Sequence, residues 1–135
     1  MLRKLWMSIL LYNKGPIPDQ MTHGLVYMQY RDLLMKGFTI SRSENNCNVR
    51  VEYYVVLVGN ILHNAHTDVT YIVIEKFAMV EDFYTYPIKS SSLGIYQLSQ
   101  HTGELSIVPA NSIQYKYTLL PPGAKYVVYP LQILA

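Results

Sequence analysis

VRVEYYVVLVGNILHNAHTDVTYIVIEKFAM, residues 49–79, is the stretch whose reading decides the fold. Two of its segments, 49–58 and 69–79, are dense in β-branched and aromatic residues, which suit a pleated, packed surface. Between them Gly59, Asn60, Asn64 and Asp68 are turn formers. The spacing therefore predicts two long strands joined by a polar turn over 59–68. Successive side chains of a strand point to opposite faces. Val49, Val51, Tyr53, Val55 and Leu57 then share one face of the first arm, with Arg50, Glu52, Tyr54, Val56 and Val58 on the other. In the second arm Val69, Tyr71 and Val73 oppose Ile72 and Ile74. Both arms are apolar on two faces over part of their length, and such strands need cover on both sides. A second sheet, a helix or a partner chain could supply it, since an isolated hairpin is not stable in water.

Upstream, residues 38–41 read as a short strand leading into a polar loop, 42–48, where Cys47 is expected as a loop thiol. As the single cysteine it has no partner for an internal disulfide. Residues 1–12 place Arg3 and Lys4 before a mostly apolar run, far short of the roughly 20 residues that span a bilayer. A short helix with Leu2, Leu5, Ile9 and Tyr12 on one face is expected, stopped by Gly15, Pro16 and Pro18. Thr22 then caps a second expected helix over 23–36, in which Val26, Tyr30, Leu33 and Leu34 recur at helical spacing and Gly37 ends the run. A strand over 25–30 is the competing reading.

Downstream, Pro87 marks 81–88 as edge-like and 89–94 reads as a loop. Strands follow over 95–99, 104–108, 112–120 and 125–134, separated by His101-Thr-Gly103, Pro109-Ala-Asn and Pro121-Pro-Gly123. The expected fold is mainly β (α+β): an antiparallel β-sandwich or barrel-like sheet with one or two N-terminal helices. It forms one domain, 1–135, in which a helical N-terminal region (1–37) packs on or projects from a β region (38–135).

Enzyme signatures are lacking: there is no G-x-S-x-G, no Walker loop, no H-E-x-x-H and no C-x-x-C. Glu81 and Asp82 are adjacent, so on a strand they point apart and do not form an acid/base pair. His63, His66 and Asp68 carry metal-ligand chemistry in the string H-x-x-H-x-D, but their spacing matches no known site, and a polar hairpin tip is expected there. No catalytic residue, cofactor or metal is expected.

Net charge is only +2 and the basic residues are spread along the chain, against a phosphate-binding stripe. Charged residues make up 15%, against about a quarter in a typical chain, while tyrosine occurs 13 times. Tyrosine is enriched where surfaces meet other molecules. The expectation is a non-enzymatic structural or interaction protein, of the kind found among small virion or phage subunits (matrix, minor capsid or head–tail joining). It would work as a homo-oligomer or in a larger assembly, in a virion or host cytoplasm if viral and otherwise in the cytoplasm. Its expected contact residues are Leu5, Trp6 and Ile9 of the N-terminal segment, Tyr54 and Tyr71 of the arms, and Tyr115, Lys116 and Tyr117. Residues 1–12 could also touch a membrane surface through Arg3, Lys4 and Trp6. The alternative is a β-barrel or sandwich module binding a ligand, a sugar or single-stranded nucleic acid, with Tyr115 and Tyr117 flanking Lys116 as a stacking platform. A small enzyme is the third reading.

Overall fold

β-branched density across the central stretch produces three strands, one short and two long. The computed structural model describes residues 6–7, 15–18, 27–35, 37–41, 47–99, 101–119 and 126–130. Within these the chain order is β1 (Trp6–Met7), β2 (Tyr27–Tyr30), β3 (Asp32–Met35), β4 (Phe38–Ser41), β5 (Asn48–Val51), β6 (Tyr54–Asn64), β7 (Val69–Phe77), β8 (Val80–Asp82), β9 (Tyr96–Leu98), β10 (His101–Pro109), β11 (Ile113–Leu119) and β12 (Tyr126–Pro130). Two 3-10 turns, Ser90–Leu93 and Ala110–Ser112, are the helical elements among the described residues. The protein is mainly β, and among the described residues all strand pairs are antiparallel.

The expected first arm is broken. Val51 pairs with Tyr54, so Glu52 and Tyr53 form a two-residue hairpin loop between β5 and β6. Glu52 takes φ 53 there, the left-handed conformation that such tight loops demand and that glycine or asparagine normally supplies. The expected polar turn is displaced in compensation. β6 runs straight through Gly59 and Asn60, where its register against β7 slips by one residue between Val58 and Asn60. Gly59-Asn60 is thus a β-bulge, and the turn proper is residues 65–68. There the Asn64 side-chain oxygen accepts from the backbone N–H groups of His66 and Thr67.

The main sheet runs β10-β7-β6-β5-β11-β12-β9-β8, and β2 pairs with the second half of β6. Its two ends are continuations of inner members. β8 extends β7 beyond Ala78-Met79, and β10 extends β9 beyond Ser99. His101 pairs with Phe77 and Leu98 pairs with Val80, with the Ser99 N–H bonded to the Met79 carbonyl between them. β7–β8 and β9–β10 are therefore one bent two-stranded ribbon, and the pairing closes into a ring of β6, β7–β8, β9–β10, β12, β11 and β5. Bulges curve strands. One lies at Gly59 and a second register slip falls between Ile113 and Tyr115 of β11.

Two cores follow from the closure. Val55, Phe77, Leu98, Tyr117 and Val128 come from five of the ring's segments and pack together inside it. The outward face of β5, β6 and β7 carries Val49, Val51, Val56, Val58, Ile61, Ile72 and Ile74. A small sheet, β1-β3-β4, covers that face with Leu33, Met35 and Ile40. Among the described residues the central strands are thus covered on both faces, by the ring interior and by the small sheet, which is the second-sheet form of cover.

Other expectations need correction. Residues 27–35 of the expected second helix are strands: β2 pairs with β6, and β3 pairs with β4. Helical spacing of Tyr30, Leu33 and Leu34 was coincidental, because Arg31 separates two strands of different sheets. Gly37, at φ 94, lies in the β3–β4 connection and caps no helix. Residues 23–26 of that expected helix lie outside the described residues. So does the first expected helix, apart from Trp6–Met7, whose backbone pairs with Leu34 and Leu33 as strand β1. Cys47 is a core residue, 3% exposed, packed among Val49, Val58 and their neighbours. His101-Thr-Gly103 opens strand β10 in place of the expected turn.

Candidate functional site

At one rim of the ring, the β5–β6 hairpin, the end of β7 and the start of β8 and β9 surround a cleft of about 350 Å³. Strand pairing sets its chemistry. Arg50 of β5 is opposite Val55 of β6, so its side chain shares the inward face with Val55. Lys76 of β7 is opposite Val56, which places it on the other side of β6. Both cations line the cleft, with Tyr53, Tyr54 and Tyr96 as its hydroxyl-bearing rings and Val55, Phe77 and Val80 as its apolar wall.

The Arg50 guanidinium is held in place. Its Nε donates to the Glu52 carbonyl at 3.3 Å, and Nη1 donates to the Tyr117 hydroxyl at 3.3 Å. The Tyr117 hydroxyl in turn donates to that of Tyr115 at 3.4 Å. The hydrogen bond to Tyr117 holds the guanidinium above its ordinary range. Burial acts against this, and the Tyr96 hydroxyl adds to it. Burial pushes the Tyr117 phenol up, and the bond to Tyr115 adds to the shift while Arg50 opposes it. The pair is therefore a cation on a neutral phenol. Tyr96 meets the Tyr117 ring edge-on and Tyr115 lies tilted against it, with centroids 6.5 and 5.3 Å away, which closes the ring interior beneath Arg50. Lys76 Nζ lies 4.3 Å from the centre of the Tyr54 ring, a cation–π contact. Among the described residues the ion pairs are Arg31–Asp32 and His63–Asp68, and neither Arg50 nor Lys76 has a carboxylate partner.

A family model described as "domain of unknown function (DUF8592)" matches residues 11–131. The chain belongs to this family. No curated protein and no solved structure matches it. The DUF8592 match takes in every strand from β2 to β12, and with them the closed ring and its cleft.

The contact residues expected from sequence scatter across the DUF8592 fold. Tyr54 is on the cleft rim and about half exposed. Tyr71 is away from it, edge-on to Tyr27 with centroids 6.2 Å apart. Tyr115 and Tyr117 do share a face, but it is the interior of the ring. Tyr117 is 2% exposed, so the pair is no open stacking platform. Lys116 points to the opposite side, where Nζ donates to the Thr39 carbonyl. Leu5 and Ile9 lie outside the described residues, and of Trp6 only the backbone is described.

In the histidine loop, His63 and Asp68 meet at 3.1 Å, and His63 Nδ1 bonds Thr70 Oγ1 at 2.9 Å. The described residues contain no group of three His, Cys, Asp or Glu placed to hold a metal. Arg50, Tyr53, Lys76 and Tyr96 were not singled out by sequence. Arg50 carried a signal, as a lone cation inside an apolar strand, but its inward direction depends on the hairpin at Glu52-Tyr53.

Proposed function

We propose that this DUF8592 chain is a non-enzymatic binding protein, a small barrel-like ring whose rim cleft takes an anionic ligand. The carrying observation is that Arg50 and Lys76 line one cleft with no carboxylate partner among the described residues. A partly buried cation without a counter-charge gains most from an incoming anion. Among the described residues the cleft is lined by two cations, three tyrosines and three apolar side chains, a set suited to holding an anion. Thermal unfolding in low salt with added phosphate or pyrophosphate tests the reading. A ligand at about 100 times its Kd stabilises the folded state by about 2.7 kcal/mol, a readable rise in Tm. Arg50→Ala and Lys76→Ala should each reduce the rise. Equal Tm with and without every anion tried, in wild type and variants alike, would refute the proposal.

A structural subunit working by association is the second reading. It is favoured by the exposed Met79, Val80, Phe83, Tyr86, Ile88 and Leu93, all within one segment beginning at the cleft. Six exposed apolar side chains in fifteen residues exceed the scattered singles of an ordinary monomer surface. Light scattering at rising protein concentration decides it: an unchanged monomer mass would count against self-association.

A further inference from the structure

Resting on the reading of the cleft as an anion site, we propose that its ligand is a nucleotide, with the phosphate on Arg50 and Lys76 and the base against the tyrosines of the rim. The volume of about 350 Å³ lies in the small-molecule range of roughly 300–1,000 Å³. A guanidinium carries five N–H donors, and Arg50 directs them to the Glu52 carbonyl, the Tyr117 hydroxyl and the Tyr96 hydroxyl, which leaves two of the five. Donors therefore remain for phosphate oxygens, and the guanidinium is already oriented by Tyr117. Lys76 supplies a second charge from β7, across β6 and from its other side, with Nζ over the Tyr54 ring, so the two cations meet the cleft from two sides and suit a doubly charged group better than a single carboxylate.

The rings supply the other half of the ligand. Tyr53 is 85% exposed at the tip of the hairpin loop, although a large aromatic side chain is usually packed. It is presented there by a loop whose Glu52 holds a left-handed backbone conformation, a strained state that persists where surrounding structure enforces it. Tyr53 and Tyr54 thus put ring surface beside two cations, the combination on which bases stack and phosphates pair. A neutral sugar is less well served, because among the described residues the cleft offers it no amide or carboxylate acceptor. A fatty carboxylate would need an apolar tunnel, and the ring interior is already filled by Val55, Leu98, Tyr117 and Val128. The nucleotide could be free or a unit of a single strand, since the cleft opens on the exposed rim at Tyr53 and Lys76.

The test titrates the full chain with adenosine monophosphate, with inorganic phosphate, and with a fluorescently labelled single-stranded oligonucleotide, in low salt. Adenosine monophosphate should bind at least tenfold more tightly than phosphate. Tyr53→Ala should remove that tenfold margin, and Tyr53→Phe should keep it. Lys76→Ala should weaken phosphate and nucleotide together. Tyr53 is 85% exposed, so its variants should keep the wild-type Tm; Lys76→Ala loses the contact with Tyr54, and its binding is measured well below its own Tm. Binding of phosphate and adenosine monophosphate with equal affinity would overturn the nucleotide assignment and leave the anion site standing. Failure of all three ligands would overturn both. Should the oligonucleotide bind more tightly than the mononucleotide, the source is a single strand; the reverse order makes it the free nucleotide.

Discussion

Removal of the Asn60 side chain should destabilise the protein far more than the loss of one small polar group suggests. Asn60 follows the Gly59 bulge and is fully buried. Its Nδ2 donates to the Pro16 carbonyl at 3.2 Å and to Gln29 Oε1 at 2.9 Å, while Oδ1 accepts from the Ile61 N–H at 2.9 Å. Gln29 Oε1 also accepts from the Gly15 N–H at 3.2 Å. One side chain thus fastens the segment 15–18 and strand β2 onto β6. Each bond contributes about 1 kcal/mol net, and a buried group left unpaired costs about 1–3 kcal/mol, so Asn60→Ala should cost about 3 kcal/mol. With a urea dependence of about 1–3 kcal/mol per M, the unfolding midpoint should fall by about 1–3 M. Asn60→Asp should do no better, since a carboxylate would face two oxygen acceptors. Gly15 sharpens the test. A Cβ there would run into the Asn60 carboxamide, so Gly15→Ala clashes with the wild-type side chain but not with an alanine at 60. The double variant should therefore cost less than the sum of the two singles. A loss under about 1 kcal/mol for Asn60→Ala, or additivity within about 0.5 kcal/mol, would refute the clamp.

Three further outcomes are expected. Glu52→Gly should leave the urea midpoint unchanged or raise it, while Glu52→Val should destabilise the fold by at least about 1 kcal/mol, because a branched side chain is a poor fit at φ 53; equal midpoints would contradict the left-handed loop. Cys47 should resist a thiol reagent in the folded protein and react in denaturant, given its 3% exposure; fast labelling of native protein would disprove its burial. Burial pushes the Asp32 carboxyl up, but hydrogen bonds from Ser41 and Arg31 outweigh it and hold the group below its ordinary 3.8. The folded value being the lower one, the stabilisation is complete above the unfolded value of about 4 and is lost as pH falls through the folded one. Asp32→Asn should therefore flatten the acid limb of a midpoint-against-pH curve, and parallel curves for the two proteins would argue against it.

Much of the β architecture was legible because it rests on side-chain type. Valine and isoleucine density over 55–58 and 69–74 signalled strands with two buried faces, and β6 and β7 are those strands. Breaks governed by backbone conformation were not legible. Glu52-Tyr53 contains no turn former, so the hairpin there is imposed by its flanking strands. Gly59-Asn60 has the residues of a turn, yet a bulge uses the same conformational freedom. In 27–35, apolar side chains three and four apart satisfy helical spacing, while Tyr27–Tyr30 and Asp32–Met35 in fact pair in different sheets. The candidate site was hidden for the same reason. Arg50 and Lys76 are 26 positions apart, and only strand register brings them to one cleft.

Closure of the ring puts an unusual weight on β12. It pairs with β11 on one side and β9 on the other, so it is the last segment by sequence and the one that joins two otherwise open edges. During synthesis every other member of the ring is available before it. Until Tyr126–Pro130 arrives, β9 and β11 present unsatisfied backbone groups to whatever strand is nearby. A second copy of the chain carries a β12 of identical sequence, and insertion of that strand into the gap would yield an exchanged dimer with every native bond made. The same geometry that pairs β9 and β11 on both sides in the finished protein therefore leaves one side of each open until one short strand is placed.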